Sequence, residues 1–489
     1  MYIIMISSEL APVAKVGGLA DVVFGLSREL EVRGNAVEII LPKYDCMRYD
    51  QIHEFHEVYD NLWVPFYDTW VHCTVLFSYV HNRKCFFIDP HNDKVFFNRG
   101  VYYGHHDDDE RFAFFCRAAL EFMHKSGKQP DIIHCHDWQT ALVPVLLFDM
   151  YAKLGMTHPR VCYTLHNVKH QGITGEHALR EVGLYPPDYM RPDRLLDDHN
   201  PFAVNLMKGG ITYSNFVTTV SPQYAWDIRY TDQNYGLGGV IDQNQHKLGG
   251  ILNGIDYEVW NPEIDRYIPF KYGISNLDDK YKNKEALRQR LMLSQDLKPI
   301  ICYVGRLDYQ KGVHLIKSAL FYALEMGWQF VLLGSGAEPQ INNEFWALKH
   351  QLNDNPDCHL EIGYNEELAH LIYAGSDIMI IPSMFEPCGL TQMIAMKYGT
   401  VPVVRKTGGL VNTVFDVDYS DKPEKERNGY VFEGADYVAV EWVLYRAVVH
   451  FYTYPERFRE LMEAGMRYDF SWNHPGTHYL NVYEHIREK

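Results

Sequence analysis

The chain has 489 residues, of which 47% are hydrophobic and 14% aromatic, a composition typical of a folded globular protein with about two to four domains. Its 63 acidic and 46 basic residues give a formal net charge of −17, which argues against a nucleic-acid backbone or an anionic membrane as the main partner. The nine cysteines contain no CxxC pair, and the first residues, MYIIMISSELAP, lack a basic region and a membrane-spanning apolar run. We therefore expect free thiols and a cytoplasmic protein without a targeting peptide.

The first half of the chain alternates strands and helices in the order that a parallel sheet requires. Short apolar runs predict buried strands at 2–6, 37–41, 131–135 and 161–165. Apolar residues at helical spacing predict helices at 19–30 and 139–148. Aromatic blocks predict a meander of strands at 54–89, and polar composition predicts a mobile loop at 97–109 and a turn-rich stretch at 221–250.

The same alternation restarts in the second half and predicts a second doubly wound sheet. Its predicted strands lie at 300–304, 329–333, 359–362 and 377–381. Helices are predicted at 277–293, 313–324, 366–373 and 473–489. The composition changes at 251–262, so we predict one domain at 1–250 and a second at 251–469, with a terminal helix at about 470–489 that returns to the first domain. Two such Rossmann-like α/β domains that face each other form a cleft at the carboxyl ends of their strands, where ligands of open sheets bind.

The stretch from Pro382 to Gly409 offers the first candidate site, because it predicts a tight loop after a buried strand and then a helix that begins near Leu390 and Thr391. Glu386 lies in that loop and can accept hydrogen bonds from sugar hydroxyls, while the free amides at a helix start favour an anion. An ordinary loop with a solvated carboxylate is the alternative, since acidic residues before helices are common caps.

Two short glycine motifs also follow predicted strands and suit a phosphate. Lys15-Val-Gly17-Gly18 combines a cation with backbone that can approach a ligand closely, although a tight turn before a helix explains the glycines as well. Asp21 lies in the first turn of that helix, where an acid complements the helix dipole. Arg306 and Lys311, five residues apart, can clamp a pyrophosphate, and a solvated basic turn is the alternative.

Other polar residues follow predicted strands and can line the same cleft. Ser335 lies between two glycines, and the ring of Tyr364 can stack on a base. Asp137 and the pair His166-Asn167 are further candidates, although a loop histidine is more often structural. The run of histidines and acids at 104–109 does not predict a metal site, because adjacent residues seldom converge on one ion.

Seven motifs, in order along nearly the whole chain, resemble the bacterial glycogen synthases and plant starch synthases, glycosyltransferase family 5. They are KVGGLADVV at 15–23, HCHDWQTAL at 134–142, YTLHNVKHQG at 163–172, TTVSPQYA at 218–225, ILNGIDYEVWNP at 251–262, GRLDYQKG at 305–312, and PSMFEPCGLTQMIAMKYG with RKTGGL at 382–410. Three further stretches resemble the soluble starch synthases of classes III and IV, namely LPKYDC at 41–46, RPDR at 191–194 and KTGGLVNTVFDVD at 406–418.

This resemblance implies a GT-B fold and a retaining transfer of glucose from ADP-glucose to the non-reducing end of an α-1,4-glucan or malto-oligosaccharide, without a metal or other cofactor. The residues it implies for the transfer are Lys15, His166 through its backbone carbonyl, Arg306, Lys311 and Glu386. Those it implies for donor binding are Gly17, Gly18, Asn253, Gly305, Ser335, Tyr364, Cys388, Gly389, Leu390 and Thr391. Those it implies for the glucose and acceptor pocket are Asp21, Asp137 and Asn167.

The chain departs from the common family pattern at a few positions. Lys169 and His170 stand where many relatives have a small residue and an aromatic, and Asp308 and Tyr309 occupy variable slots that we expect not to touch the cation clamp. This sequence shows none of the long leading extensions of the plant class III and IV enzymes, so we expect a free-standing bacterial or cyanobacterial-like enzyme. The alternative functions are the same reaction with UDP-glucose, a glucan-binding or granule-initiation protein, and a glucan phosphorylase, for which no pyridoxal-phosphate lysine can be placed.

Overall fold

The computed structural model describes residues 1–336 and 338–488, which divide into two compact units. The first unit comprises Met1–Gly254 together with the chain from Trp472 onward, and the second comprises Ile255–Ser471. Each unit is built on one large sheet of mostly parallel strands, with helices between successive strands. The α/β class predicted from the sequence is therefore confirmed.

The elements of the first unit alternate between strand and helix as the sequence predicts. Its strands are β1 (Tyr2–Ile6), β2 (Ala36–Pro42), β3 (His53–Phe66), β4 (Thr69–Val80), β5 (Arg83–Pro90), β6 (Ile132–His136), β7 (Arg160–Leu165), β8 (Ile173–Thr174), β9 (Val204–Asn205), β10 (Phe216–Thr219) and β11 (Leu248–Gly250). Its helices up to this point are α1 (Gly18–Val32), α2 (Asp108–Lys125), α3 (Leu142–Asp149), α4 (His177–Glu181), α5 (Pro186–Tyr189), α6 (Leu206–Tyr213), α7 (Pro222–Tyr230) and α8 (Gly238–Gln243). Short 3-10 helices lie at Tyr49–Gln51, Trp138–Thr140, Tyr151–Leu154, Asp232–Asn234 and Gln245–Lys247.

The nine-stranded sheet of the first unit has the order β11-β10-β7-β6-β1-β2-β5-β4-β3. Strand β1 pairs in parallel with both β2 and β6, so the winding of the chain reverses between β1 and β6. Parallel strands in such a sheet are covered on both faces, and accordingly Ile3 to Ile6 are all buried. The predicted meander at 54–89 is confirmed, since β3, β4 and β5 pair antiparallel at one edge of this sheet.

Two stretches of the first unit are more regular than the sequence predicts. Asp108 and Asp109 belong to α2 rather than to a loop, and Arg99 forms a 2.5 Å ion pair with Asp107 just before that helix. The Arg99 guanidinium lowers the pKa of Asp107 to about 2. The stretch at 221–250 is also not merely turns, because it holds α7, α8 and β11.

The second unit repeats the same construction. Its strands are β12 (Ile300–Arg306), β13 (Gln329–Ser335), β14 (Cys358–Ile362), β15 (Ile378–Ile381), β16 (Val401–Arg405) and β17 (Tyr430–Phe432). Its helices are α9 (Asp279–Leu291), α10 (Val313–Glu325), α11 (Pro339–Leu352), α12 (Glu366–Gly375), α13 (Thr391–Lys397), α14 (Gly409–Thr413), α15 (Tyr437–Thr453) and α16 (Pro455–Arg467), with 3-10 helices at Ile274–Asn276 and Glu424–Glu426. The strand order is β14-β13-β12-β15-β16-β17, all parallel, and the winding reverses between β12 and β15.

The last helix, α17 (Asn473–Arg487), belongs to the first unit. The hydroxyl of its Tyr483 lies 2.8 Å from Nδ1 of the buried His134 on β6, and the preceding Trp472 lies against Gly25 of α1. The final residue of the helix predicted at 473–489 lies outside the described residues. Among the helices that the structure does describe, none combines the length and apolar character needed to cross a bilayer.

Candidate functional site

In the first unit, the candidate residues follow parallel strands of the sheet, and three of them lie near the point where the winding reverses. The loop after β1 carries Lys15, and the loop after β6 carries Asp137. His166 directly follows β7, and Asn253 follows β11. Because these strands run parallel, all four residues lie at the carboxyl edge of one sheet, where α/β proteins bind ligands.

The Lys15 loop is shaped by a carboxylate that the sequence does not single out. Lys15 Nζ lies 2.7 Å from Asp21 Oδ1, in the first turn of α1. Glu9 Oε2 accepts hydrogen bonds from the backbone amides of Val16 at 2.8 Å and Gly17 at 3.0 Å. The Gly17 amide therefore points at Glu9, and helix α1 begins at the next residue, Gly18. No short-range pattern connects residue 9 with residues 16 and 17, so the sequence carries no signal for this contact.

The Oδ1 atom of Asp137 binds backbone amides of the loop after β7 instead of facing the solvent. That oxygen accepts hydrogen bonds from the amides of His166 at 2.7 Å and Asn167 at 3.3 Å. Asp137 itself has a φ of 54°, a left-handed conformation that costs free energy in a residue other than glycine. Burial raises the pKa of Asp137 to about 7. Asp137 thus fixes the backbone conformation at His166 and Asn167.

The His166 side chain is buried and neutral. Its Nε2 lies 3.1 Å from His136 Nδ1, and burial lowers the pKa of His166 to about 3. A ring in this state does not offer a charge. Farther along the same edge, Asn253 is buried, and among the described atoms its Oδ1 has no hydrogen-bond partner.

In the second unit, the candidate residues also follow neighbouring strands. Arg306 ends β12 and pairs in register with Ser335, which ends β13. Tyr364 lies two residues after β14 and is largely exposed. Glu386 follows β15, the strand across the reversal from β12. The structure therefore places these four residues along one sheet edge, in the same order as their strands.

The buried carboxylate of Glu386 is held by two side chains of this unit. Its Oε2 lies 2.5 Å from Lys311 Nζ and accepts a hydrogen bond from Ser383 Oγ at 2.8 Å. Only 5% of Glu386 is exposed, so this charge depends on its partners, since an unpaired buried charge is unfavourable. Lys311 and Glu386, 75 residues apart in sequence, thus form one charged pair. Ser383 was not predicted, although it lies three residues before Glu386 in the same motif.

Asp308 corrects the expectation that the variable slots of the GRLDYQKG motif do not touch the clamp. Asp308 Oδ2 lies 2.9 Å from Arg306 Nη1, and Asp308 Oδ1 accepts the backbone amide of Lys311 at 2.9 Å. The carboxylate therefore holds both cationic residues to one turn. The side chain of Arg306 nevertheless remains 46% exposed.

A glycine pair, Gly408-Gly409, closes over the Glu386 loop from the turn after β16. Gly408 has a φ of 48°, and a Cβ atom there would lie 1.9 Å from the carbonyl oxygen of Glu386. The amide of Gly409 donates to that same oxygen at 2.9 Å. Both glycines belong to the RKTGGL motif, but no role was predicted for them. The contact explains why this turn has no room for a side chain.

The loop then enters helix α13. Cys388 is buried, Gly389 has a φ of 74°, Leu390 is the N-cap, and Thr391 is the first helical residue. The first amides of any helix have no acceptor inside it. Gly305, at the end of β12, also has a positive φ, of 157°. Across the described residues, no group of three histidine, cysteine or acidic side chains is arranged to hold a metal ion.

Two family models match this chain, one in each unit. The model for the starch synthase catalytic domain matches residues 2–243. The model for glycosyl transferases group 1 matches residues 284–442.

Full-length relatives give the same assignment. Glycogen synthase 1 of Nitrosococcus oceani is 64% identical over 488 residues, covering 100% of both chains. Glycogen synthase 2 of Methylococcus capsulatus is 62% identical, covering 99% of this chain and 100% of the relative. The solved catalytic domain of starch synthase IV from Arabidopsis thaliana, bound to ADP and acarbose, is 44% identical with a TM-score of 0.98, covering 100% of this chain and 99% of that one.

A more distant solved structure shares the fold alone. Sucrose-phosphate synthase from Thermosynechococcus elongatus has a TM-score of 0.62 at 18% identity, covering 99% of this chain and 98% of that one. With the full-length matches above, these findings show that the chain belongs to the bacterial glycogen synthase and plant starch synthase family of GT-B glycosyltransferases, glycosyltransferase family 5.

Proposed function

We propose that this protein transfers glucose, with retention of configuration, from ADP-glucose to the non-reducing end of an α-1,4-glucan and releases ADP. The observation that carries the proposal is the charged turn of the second unit, where Asp308 holds Arg306 and Lys311 together and Lys311 reaches Glu386. The 44% identical starch synthase was solved with ADP bound, which supports an adenine nucleotide as the donor.

In this proposal the second unit binds the nucleotide sugar. Arg306 and Lys311 neutralise the diphosphate, Glu386 accepts hydrogen bonds from glucose hydroxyls, and the ring of Tyr364 stacks on the base. The supporting contacts come from Gly305 and Ser335 at the strand ends and from the backbone of Cys388, Gly389, Leu390 and Thr391 at the start of α13.

The first unit binds the glucosyl group and the acceptor. Lys15 and the backbone at Gly17 and Gly18 approach the donor, and the carbonyl of His166 lies beside the anomeric carbon. Asp137 supports this placement, because it already fixes the amides of His166 and Asn167. The remaining pocket residues are Asn253 on the donor side and Asp21 and Asn167 on the acceptor side.

The chemistry follows from where charge develops. As the bond between the anomeric carbon and the diphosphate breaks, negative charge grows on the leaving oxygen and positive charge on the sugar, so cations fixed at the diphosphate lower the barrier. The acceptor hydroxyl then bonds to the anomeric carbon on the same face, and its proton passes to the leaving phosphate. We propose that this route requires neither a metal ion nor an organic cofactor. A covalent glucosyl-enzyme trapped at Glu386 or at any other residue would contradict the direct attack on the same face.

A donor comparison tests the proposal. Wild-type protein is assayed with glycogen or malto-oligosaccharide, using ADP-glucose in one series and UDP-glucose in the other, and the released diphosphate is measured. We expect faster turnover with ADP-glucose. Equal or faster turnover with UDP-glucose would overturn the choice of donor, and no turnover with either would leave a glucan-binding protein as the better interpretation.

The variant Glu386→Gln tests the role of the charged pair. It keeps the shape of the side chain but removes the partner charge of Lys311, so we expect kcat to fall by roughly 100-fold or more. Glu433→Gln is the matched control, since Glu433 forms a 2.7 Å pair with Lys406 in the same unit but is exposed. The measurement is diphosphate release together with glucan binding. A Glu386→Gln enzyme as active as the control would remove Glu386 from the mechanism.

A further inference from the structure

Glu9 is a buried carboxylate in the loop after β1 and is not among the residues assigned to the transfer. Only 5% of the residue is exposed. Its backbone is fixed by Ser7, whose hydroxyl accepts the Glu9 amide at 3.2 Å and donates to the Glu9 carbonyl at 2.7 Å. These two hydrogen bonds fix the backbone from which the Glu9 side chain extends, and so restrict the direction of that side chain.

The two oxygens of Glu9 join two segments that are distant in sequence. Oε2 accepts the amides of Val16 and Gly17, in the Lys15 loop. Oε1 accepts the hydroxyl of Tyr103 at 2.8 Å, from the irregular segment before α2. The Tyr103 hydroxyl is also 2.9 Å from Ser8 Oγ. Glu9 is thus the junction between the Lys15 loop and the Tyr103 segment.

The surroundings of Glu9 are unfavourable for a carboxylate apart from these donors. Burial is the main effect on its pKa and raises it, with the nearby carboxylate of Asp21 acting in the same direction, whereas the amides of Gly17 and Val16 and the Tyr103 hydroxyl lower it. A buried acid without such partners would be strongly destabilising. The three donors therefore allow the Glu9 carboxylate to be buried. The carboxylate in turn fixes the backbone of Val16 and Gly17, whose amides donate to it.

We propose that Glu9 is a positioning residue for the transfer reaction, with Tyr103 as its anchor. By accepting the amides of Val16 and Gly17 it sets the conformation of the loop, and so places Lys15 and the first amide of α1, at Gly18, for the donor. Glu9 touches no reacting atom in this scheme and acts through Lys15. The inference rests on the proposed function, because it assigns Glu9 to the placement of the donor.

The test compares Glu9→Ala and Glu9→Gln with a matched pair at Glu121. Glu121 is equally buried in the same unit and accepts the hydroxyl of Tyr151 at 2.6 Å, so Glu121→Ala and Glu121→Gln reproduce the loss of a buried acid bonded to tyrosine. Each full-length variant is assayed for kcat and for the KM of both substrates. Amide hydrogen exchange is followed in the peptide that contains residues 15–18.

We expect Glu9→Ala to raise exchange at residues 16 and 17 and to lower kcat/KM for the nucleotide sugar by roughly 100-fold, since small misplacements of a catalytic group have effects of this size. KM for the glucan should stay within about threefold. Glu9→Gln should recover most of the loss, because its amide oxygen still accepts both backbone amides. The variants at Glu121 should change neither the exchange at residues 16 and 17 nor kcat/KM for the nucleotide sugar.

Several results would overturn the inference. One is an exchange pattern for Glu9→Ala that matches Glu121→Ala, and another is increased exchange with unchanged donor kinetics, which would make Glu9 merely structural.

If Glu9→Ala does not fold, Tyr103→Phe gives a second test, because it removes one donor but keeps both amides. We expect it to raise donor KM severalfold, and no change would contradict the anchor. Failure of the proposed function is seen separately, as absence of wild-type turnover, while the exchange measurement still tests the contact.

Discussion

At the scale of single residues, the Glu386 loop shows how a backbone contact decides which side chains fit. The carbonyl of Glu386 accepts the amide of Gly409 and lies so close to Gly408 that no Cβ atom fits between them. A side chain at Gly408 would have to push the Glu386 loop away or break that hydrogen bond. Either movement would also displace the carboxylate from Lys311.

We therefore expect Gly408→Ala to reduce activity by roughly 100-fold and to lower stability by several kcal/mol, since backbone strain and a steric clash add. Gly327→Ala is the matched control. Gly327 has a φ of 73°, but nothing lies within 4 Å of the place that an added Cβ atom would take, so Gly327→Ala reports the cost of the left-handed conformation alone, about 1–2 kcal/mol. The measurements are diphosphate release and thermal unfolding. Equal effects of the two substitutions would show that the contact with Glu386 is unimportant.

The sequence singles out the candidate site residues more readily than the side chains that hold them. Glu386, Arg306 and Lys311 are recognisable because each follows a predicted strand and carries a charge that suits a sugar phosphate. Asp308 and Ser383 are not, because their contacts depend on how two loops fold against each other. A residue's spacing in sequence does not show that a turn will bring its side chain back onto a cation.

At the scale of elements, most of the buried parallel strands are predictable, because strands covered on both faces are continuous apolar runs. The buried strands β10 and β16 are not predicted. Helix α11 is not predicted, and the structure gives the reason: Phe345 is its only buried residue among those described, so the apolar periodicity is weak. Strand β17 has three residues, which is too short for a pattern. Helix α7 is also not predicted, although its Ser221 cap and the proline that follows are a recognisable start signal.

Strand β6 and the residue directly after β7 supply a cluster of three buried histidines, His134 and His136 on β6 and His166 after β7. The rings of His134 and His136 are 4.2 Å apart, and His136 bonds to His166. Burial lowers the pKa of His134 and of His166 to about 3, and it lowers the pKa of His136 as well. Each imidazole is therefore neutral in the folded protein at pH values where it would be protonated in the unfolded chain.

Because these imidazoles are neutral when buried, the free energy of unfolding should depend on pH. Between the folded pKa of about 3 and the ordinary value of 6.5, the unfolded chain binds the proton of His134 and the folded chain does not, so the contribution of this residue is lost as the pH falls. We expect the cost of His134→Gln to be smaller at pH 5 than at pH 7.5 by about 2 kcal/mol. The difference between variant and wild type is used because Asp137, whose pKa burial raises to about 7, changes stability in the opposite direction.

Denaturant unfolding at the two pH values measures this difference. Glutamine can still bond to Thr164 and Tyr483, the two partners of His134, so the substitution removes the titrating group with little other change. His478→Gln is the control, because His478 lies exposed on α17. A cost for His134→Gln that is the same at both pH values would show that His134 does not protonate on unfolding.

At the scale of the whole molecule, the first unit is assembled from two separate parts of the chain. The segment that starts at Trp472 rejoins residues 1–254 after the whole second unit has been completed. Trp472 is buried, and its indole occupies the space over Gly25, where a Cβ atom would lie 1.9 Å from Nε1. Arg33 at the end of α1 also donates a hydrogen bond to Thr477 Oγ1 at 2.8 Å. The terminal helix is thus part of the core of the first unit rather than an appendage.

We expect Trp472→Ala to lower the stability of the first unit by about 3–5 kcal/mol, the usual cost of removing a buried aromatic side chain. Because a chain of two units need not unfold in one step, hydrogen exchange is measured separately for peptides from each unit. Exchange should rise in α17 and α1, and peptides of the central sheet of the second unit should be unaffected. Trp346→Ala is the control, since Trp346 is an exposed tryptophan on α11. Similar exchange in both variants would show that Trp472 does not secure the terminal helix. An effect confined to the first unit would show that the stability of this unit depends on a segment more than 200 residues beyond its other part in the sequence.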